Sequence, residues 1–286
     1  MSILLDHTPI YANIPKDRLI VLLKAFFDGG NEADSTQYEV VSLASIAGTP
    51  GQWRRFDADW KINLKKHHAP FLHTTDALTF NEPFTRDRGW NEQKVDNFLS
   101  DCAKIIDHHL LRPTVKNDPG REGLMAHVVT IVLKDFIRAR GANPKVPKDA
   151  TVLCATQSVA TLLVRGANIG VHAYHLFFDQ NEPFMGHIYD RQHNRKAKQH
   201  LKPFAGRISE IAERDMRDVP ALQAADLFAW SYSHKKQSAL YEWQNILLLH
   251  RRWVDDWYEY DALVNVIPGV AERVQSWKLP PRKPTR

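Results

Sequence analysis

The chain has 286 residues, a hydrophobic fraction of 43%, a formal net charge of +5 and only two cysteines. This length allows one large domain or two small ones, and the apolar content excludes disorder as the main state. No apolar run approaches the roughly 18 to 20 residues that cross a bilayer. Residues 1–16 carry Asp6 early and no basic segment leading into an apolar stretch, so no secretory leader is expected. Cys102 and Cys154 cannot make a disulfide framework or an all-cysteine zinc site. They fit a reducing cytosol, which predicts a cytoplasmic protein with no disulfide-linked partner.

Residues 19–27 are nearly all apolar and run into Asp28-Gly29-Gly30, which predicts a central strand buried on both faces. Residues 38–47, rich in β-branched side chains, predict its neighbour, with 28–37 as the hairpin loop between them. Trp53, Phe56, Trp60 and Leu64 share one helical stripe over 52–68. A short edge strand is expected at 71–73 and a helix at 91–110. Residues 124–133 fit strand or helix, and their β-branched content favours strand. A helix is expected over 150–167, then an aromatic strand over 171–178 ending at Asp179, and a further strand over 207–211. Pro220 opens a helix to 234. A last helix, heavy in Trp and Tyr, is predicted over 240–263. Alternating strands and helices imply an α/β protein with helices on both faces of a central sheet.

Three aspartates are embedded in apolar segments: Asp28 after Phe26-Phe27, Asp179 after Phe177-Phe178, and Asp226 within Ala224-Ala225-Asp226-Leu227-Phe228. A buried, unpaired carboxylate costs several kcal/mol or more, so such groups are paired, protonated or metal-bound. At helical spacing Asp226 shares a face with Leu222 and Ala229 and should point at the sheet. Acids at the C-terminal edge of a sheet sit where α/β folds place their sites. Their convergence would give an oxygen-rich cavity suited to Mg²⁺ or Mn²⁺. Each acid also has a structural reading: Asp28 capping the turn at Gly29 and Gly30, Asp179 capping a helix near Glu182, Asp226 pairing with an arginine.

The order of these acids resembles the ribonuclease H-like fold, whose first-strand, middle-strand and late-helix acids bind the catalytic metals. The motifs more closely resemble the bacterial family named domain of unknown function 3800. The matching stretches are Phe26-Phe27-Asp28-Gly29-Gly30, Leu72-His73-Thr74-Thr75-Asp76, Phe177-Phe178-Asp179-Gln180-Asn181-Glu182 and Leu222-Gln223-Ala224-Ala225-Asp226-Leu227. Together they span residues 20–237. The resemblance implies a ribonuclease H-like mixed sheet with an extra C-terminal helical segment. It implies Asp28, Asp179 and Asp226 as metal ligands and catalytic groups, with His73 or Asp76 as a further ligand or proton-transfer group. The family's usual Glu after the first Asp is Gly29 here, and Glu182 or Asp218 is the candidate replacement. The implied organisation is an N-terminal extension (1–18), a ribonuclease H-like domain (19–237), a helical extension packed on it (238–276) and a basic, proline-rich tail (277–286).

Residues 191–202 contain Arg191, Arg195, Lys196, Lys198 and Lys202, two histidines and no acid. Following Asp179 so closely, they are the expected phosphate contacts of a nucleic-acid partner, against the plainer reading of a solvated surface. His172 and His175 fall on opposite faces of a strand, and His175 is about 13 Å along the strand from Asp179. His187, Asp190 and His193 have helix-compatible spacing but read as exposed polar residues, and His67, His68, His108 and His109 as surface. Trp53, Trp60 and Trp90 read as core, with base stacking as the alternative. No glycine-rich phosphate loop, nucleophile elbow or Cys-His signature is visible. The function expected is a divalent-metal-dependent phosphodiesterase, a nuclease or hydrolase. The alternatives are an inactive nucleic-acid- or partner-binding module of the same fold, and a hydrolase of small phosphate esters.

Overall fold

The computed structural model describes residues 22–30, 40–110, 123–144, 146–168, 171–180, 182, 207–235, 240–249 and 254–266. The extensions 1–18 and 277–286 lie outside them. The strands are β1 (Leu22–Gly30), β2 (Val40–Gly48), β3 (Met125–Val132), β4 (Ala173–Asp179), β5 (Ile208–Arg214) and β6 (Val254–Tyr258). The helices are α1 (Pro50–His67), α2 (Thr74–Thr79), α3 (Glu92–His109), α4 (Leu133–Ala142), α5 (Ala150–Asn168), α6 (Pro220–Ser233) and α7 (Glu242–Leu249). The strands form one sheet in the order β5-β4-β1-β2-β3-β6. β1 is antiparallel to β2 and β2 to β3, while β4 runs parallel to β1, β5 parallel to β4, and β6 parallel to β3.

The strand period of two divides the core into two layers. Leu23, Ala25 and Phe27 of β1 pack with Val152, Leu163 and their neighbours on α5. Phe26 faces the other way, into a cluster with Trp60 of α1, Phe98 of α3 and Leu222 of α6. Helices therefore cover both faces. Phe26 stacks on Phe177 with centroids 5.0 Å apart, and Phe27 on Phe178 at 4.6 Å, so β1 and β4 are matched on both faces. Asp28 has the parity of Phe26 and points into the α1–α3–α6 layer. α6 is buried along almost its whole length, which explains why Leu222 to Ala229 show no polar stripe.

Thr49 and Gln52 make reciprocal capping bonds of 3.3 and 2.7 Å that start α1. Trp53 donates its indole N–H to the Lys24 carbonyl at 3.0 Å, seating α1 on β1. Trp53, Trp60 and Trp90 are all buried, as their core reading requires.

Three secondary-structure expectations are corrected, while the strand favoured over 124–133 stands as β3 and is followed by a helix the sequence did not announce. Gly29 and Gly30 are not a turn: they pair with Leu43 and Ser42, so β1 runs two residues past Asp28. Residues 71–73 are not a strand but the extended lead into α2. β3 passes directly into α4, with Val132 as an N-cap that supplies no side-chain bond. The helix expected over 240–263 is only α7, followed by β6 and a π-helical turn at Ala262–Val266. The described part of 238–276 thus completes the main sheet. His67 and His109 are also more than surface, since they pair with Asp101 at 2.9 Å and Asp59 at 2.7 Å and are mostly buried.

No described helix is long and apolar enough to cross a membrane. Both cysteines are free and buried, and burial raises both thiols above their ordinary range. A thiol-reactive disulfide reagent at pH 8 should label neither cysteine in the native protein and both after denaturation. Rapid native labelling would show that the two layers open.

Candidate functional site

Parallel pairing of β1 with β4 sets Phe27 opposite Phe178, so Asp28 and Asp179 emerge side by side. The third acid comes from α6, which crosses the same face. Asp28 is 5% exposed and Asp226 6%, whereas Asp179 is half-buried. Burial of this depth requires compensation, and each acid has a different partner.

Asp226 accepts a 2.6 Å hydrogen bond from the Thr74 amide at the start of α2. Asp179 accepts a 2.9 Å bond from the Met216 amide, which opens a single 3₁₀ turn after β5. Thus Asp226 holds a backbone amide where an arginine pair was an alternative, and Asp179 caps the Met216 turn; the helix expected to start near Glu182 lies outside the described residues. Asp28 has the least support. Its Oδ2 is buried without a hydrogen-bond partner. Burial raises its carboxyl well above the ordinary range, and Asp226, Glu182 and Asp179 push it in the same direction. Burial also raises Asp179 and Asp226; for Asp226, His73 and the Thr74 bond oppose the shift. No Lys or Arg among the described residues forms an ion pair with any of the three.

His73 and Asp76 flank this group. His73 Nδ1 lies 2.6 Å from Asp76 Oδ2. Burial pulls the imidazole pKa down, but the charge of Asp226, the Asp76 bond and the charges of Asp76 and Asp179 outweigh it and raise it. His73, its imidazole pKa raised above the ordinary value, therefore sits beside the acids, held by Asp76. Glu182 is also present. Its Oε1 accepts the Gly29 amide at 3.1 Å, and its side chain hydrogen-bonds Asp28. Asp218 is exposed on the 3₁₀ turn, so Glu182 is the acid that reaches the centre.

No protein family model, curated protein or solved structure matches the chain.

The four aspartates and one histidine named by the sequence (Asp28, Asp179, Asp226, Asp76 and His73), together with Glu182, all belong to one neighbourhood. They do not form a finished metal centre: among the described residues no three His, Cys, Asp or Glu side chains are placed to hold an ion. The expectation that the carboxylates lie within one ion's reach is not met as the side chains stand. Arg191, Arg195, Lys196, Lys198 and Lys202 lie outside the described residues, as do His187, Asp190 and His193. His175 is occupied elsewhere, paired with Glu210 at 2.9 Å.

One residue of the site was named only as part of a motif. Gln223 is 1% exposed, and its amide joins three segments. Its Oε1 accepts from Trp60 Nε1 at 2.8 Å and from the Leu72 amide at 3.0 Å, and its Nε2 donates to the Met216 carbonyl at 2.8 Å. Leu72 leads into His73 and Thr74, and Met216 binds Asp179. Gln223 therefore fixes the backbone that binds Asp226 and the backbone that binds Asp179. A buried glutamine one turn before an embedded acid was the available signal.

Proposed function

We propose that this protein is a divalent-metal-dependent phosphodiesterase of ribonuclease H-like fold, acting on nucleic acid, in which Asp28, Asp179 and Asp226 hold Mg²⁺ or Mn²⁺. The observation that carries this reading is Asp28 Oδ2, an unpartnered oxygen on a buried carboxylate beside other acids, with no paired cation among the described residues. Such an arrangement is costly unless a proton or a positive charge joins it. Oxygen donors of this kind suit a hard divalent cation, whose charge would draw the mutually repelling carboxylates together. Supporting the fold assignment, a central first strand carries one acid, the parallel strand beside it ends in another, and a late helix lays the third over the same face. The proposed relation to the domain of unknown function 3800 family rests on the same residues.

A cation bound there supplies Lewis-acid charge to a phosphodiester and acidifies water. The protein's own contribution is positioning. The Met216 and Thr74 amides orient Asp179 and Asp226, and His73, steered by Asp76 and with its pKa raised, is placed to exchange a proton. Incubation with single- and double-stranded DNA and RNA in Mg²⁺ or Mn²⁺ tests the proposal. Cleavage should fall about 10²- to 10³-fold in Asp28→Ala and Asp179→Ala, the order of loss expected when a transition-state charge contact disappears. Activity unchanged in both variants overturns it. A specific observation favours a second reading, a binding module of the same fold without chemistry: no ligand set is closed among the described residues. Under that reading calorimetry detects no tight Mn²⁺ site.

A further inference from the structure

Glycine is a poor choice for the interior of a strand, since it packs nothing and loses the most backbone entropy on folding. Gly29 lies inside β1, paired with Leu43, and its φ is not in the left-handed region. Backbone torsion therefore gives no reason for it. The reason is close approach. A Cβ at position 29 would stand 3.2 Å from Glu182 Oε1, 3.5 Å from Oε2 and 3.7 Å from Cδ. A side chain there would crowd the Glu182 carboxylate, which the Gly29 amide holds at 3.1 Å. The two residues are 153 positions apart in sequence. The same carboxylate touches Asp28, whose Oδ2 is buried and unpartnered.

We infer that Gly29 and Glu182 are a coupled pair that brings a fourth acid to the cation site from the segment after β4, the glycine leaving the carboxylate room that a side chain would crowd. The inference rests on the metal reading above. It makes the acid of position 29 and the acid of position 182 mutually exclusive: one carboxylate fits in this space, delivered from β1 or from the segment after β4.

The test is Mn²⁺ binding by calorimetry on the full chain, with thermal melting to confirm folding. Glu182→Gln keeps shape and the Gly29 contact but removes the charge, and should weaken Mn²⁺ binding by at least about tenfold. Gly29→Ala should weaken it in the same direction by displacing Glu182. Gly29→Glu alone sets two carboxylates in one space and should bind worse than wild type. Combined with Glu182→Ala, the same Gly29→Glu change should recover affinity to within about threefold of wild type, the space being vacated. Wild-type affinity in both Glu182→Gln and Gly29→Ala overturns the coupling and leaves the metal reading standing. A double variant no tighter than Gly29→Glu alone also overturns it. A wild-type protein that binds no Mn²⁺ overturns both. If the position 29 variants fail to fold, Glu182→Gln alone decides.

Discussion

Asp28→Asn should stabilise the metal-free protein near neutral pH by about 1–2 kcal/mol, in the range common for relief of a strained functional site. It should also abolish Mn²⁺ binding. The substitution keeps the shape of the side chain and removes a charge that has no partner on Oδ2. The new amide N–H₂ can donate to the neighbouring acids, Glu182 among them. The gain should depend on pH in a definite sense. Burial and three neighbouring acids raise the Asp28 carboxyl well above its ordinary value of 3.8. Between that value and the folded-state pKa the native protein binds more protons than the unfolded chain, so wild-type stability falls as pH rises through this window. Below pH 3.8 the carboxyl is protonated in both states and the advantage of Asn disappears. Asp179 and Asp226 are raised as well, so some slope persists in the variant. Excess Mn²⁺ should reverse the order. Wild type gains RT ln(1 + [L]/Kd), about 2.7 kcal/mol at a hundredfold excess over Kd, and the variant gains little. Urea denaturation with chelator and with Mn²⁺ measures both halves. An Asp28→Asn protein that is less stable than wild type without metal would show that Asp28 is a structural acid.

What could be read from the sequence follows from how local each signal is. β1, β2 and β4 are central strands, and burial on both faces leaves continuous apolar runs that stand out without any knowledge of partners. Asp28 and Asp179 were visible because each interrupts or ends such a run, and Asp226 because a helix buried all round makes a single acid conspicuous. β6 was not visible. Val254–Tyr258 reads VDDWY, an edge strand that shows no clean alternation, and its aromatic residues continue the pattern of α7. The β3–α4 junction was missed because Val132 carries no capping side chain and no Gly or Pro marks the change of period. The turn reading of Gly29-Gly30 failed for the opposite reason. The dipeptide is a strong local turn signal, but tertiary packing against Glu182 decided its use. Pairings such as Gly29 with Glu182 or Gln223 with Leu72 join residues about 150 apart, and no local pattern encodes them.

Gln223 gives the other large effect. Gln223→Leu preserves volume and burial but removes an acceptor shared by Trp60 Nε1 and the Leu72 amide, and the donor to the Met216 carbonyl. Trp60 is fully buried, and Gln223 lies where water cannot substitute. Each buried polar group left without a partner costs about 1–3 kcal/mol, so a total loss of roughly 3–5 kcal/mol is expected after partial relaxation. The consequence should extend beyond stability. The freed Leu72 segment leads into His73 and Thr74, and the freed Met216 turn carries the amide that orients Asp179. Mn²⁺ affinity should therefore fall in Gln223→Leu under conditions where melting shows it still folded. Phe228→Leu on the same helix supplies the control, since it loosens the α6 packing without touching either arm. If Gln223→Leu and Phe228→Leu lose metal affinity equally at matched stability, the glutamine serves the helix alone. If only the first loses it, α6 positions the site through one amide that grips the two segments on which Asp226 and Asp179 depend.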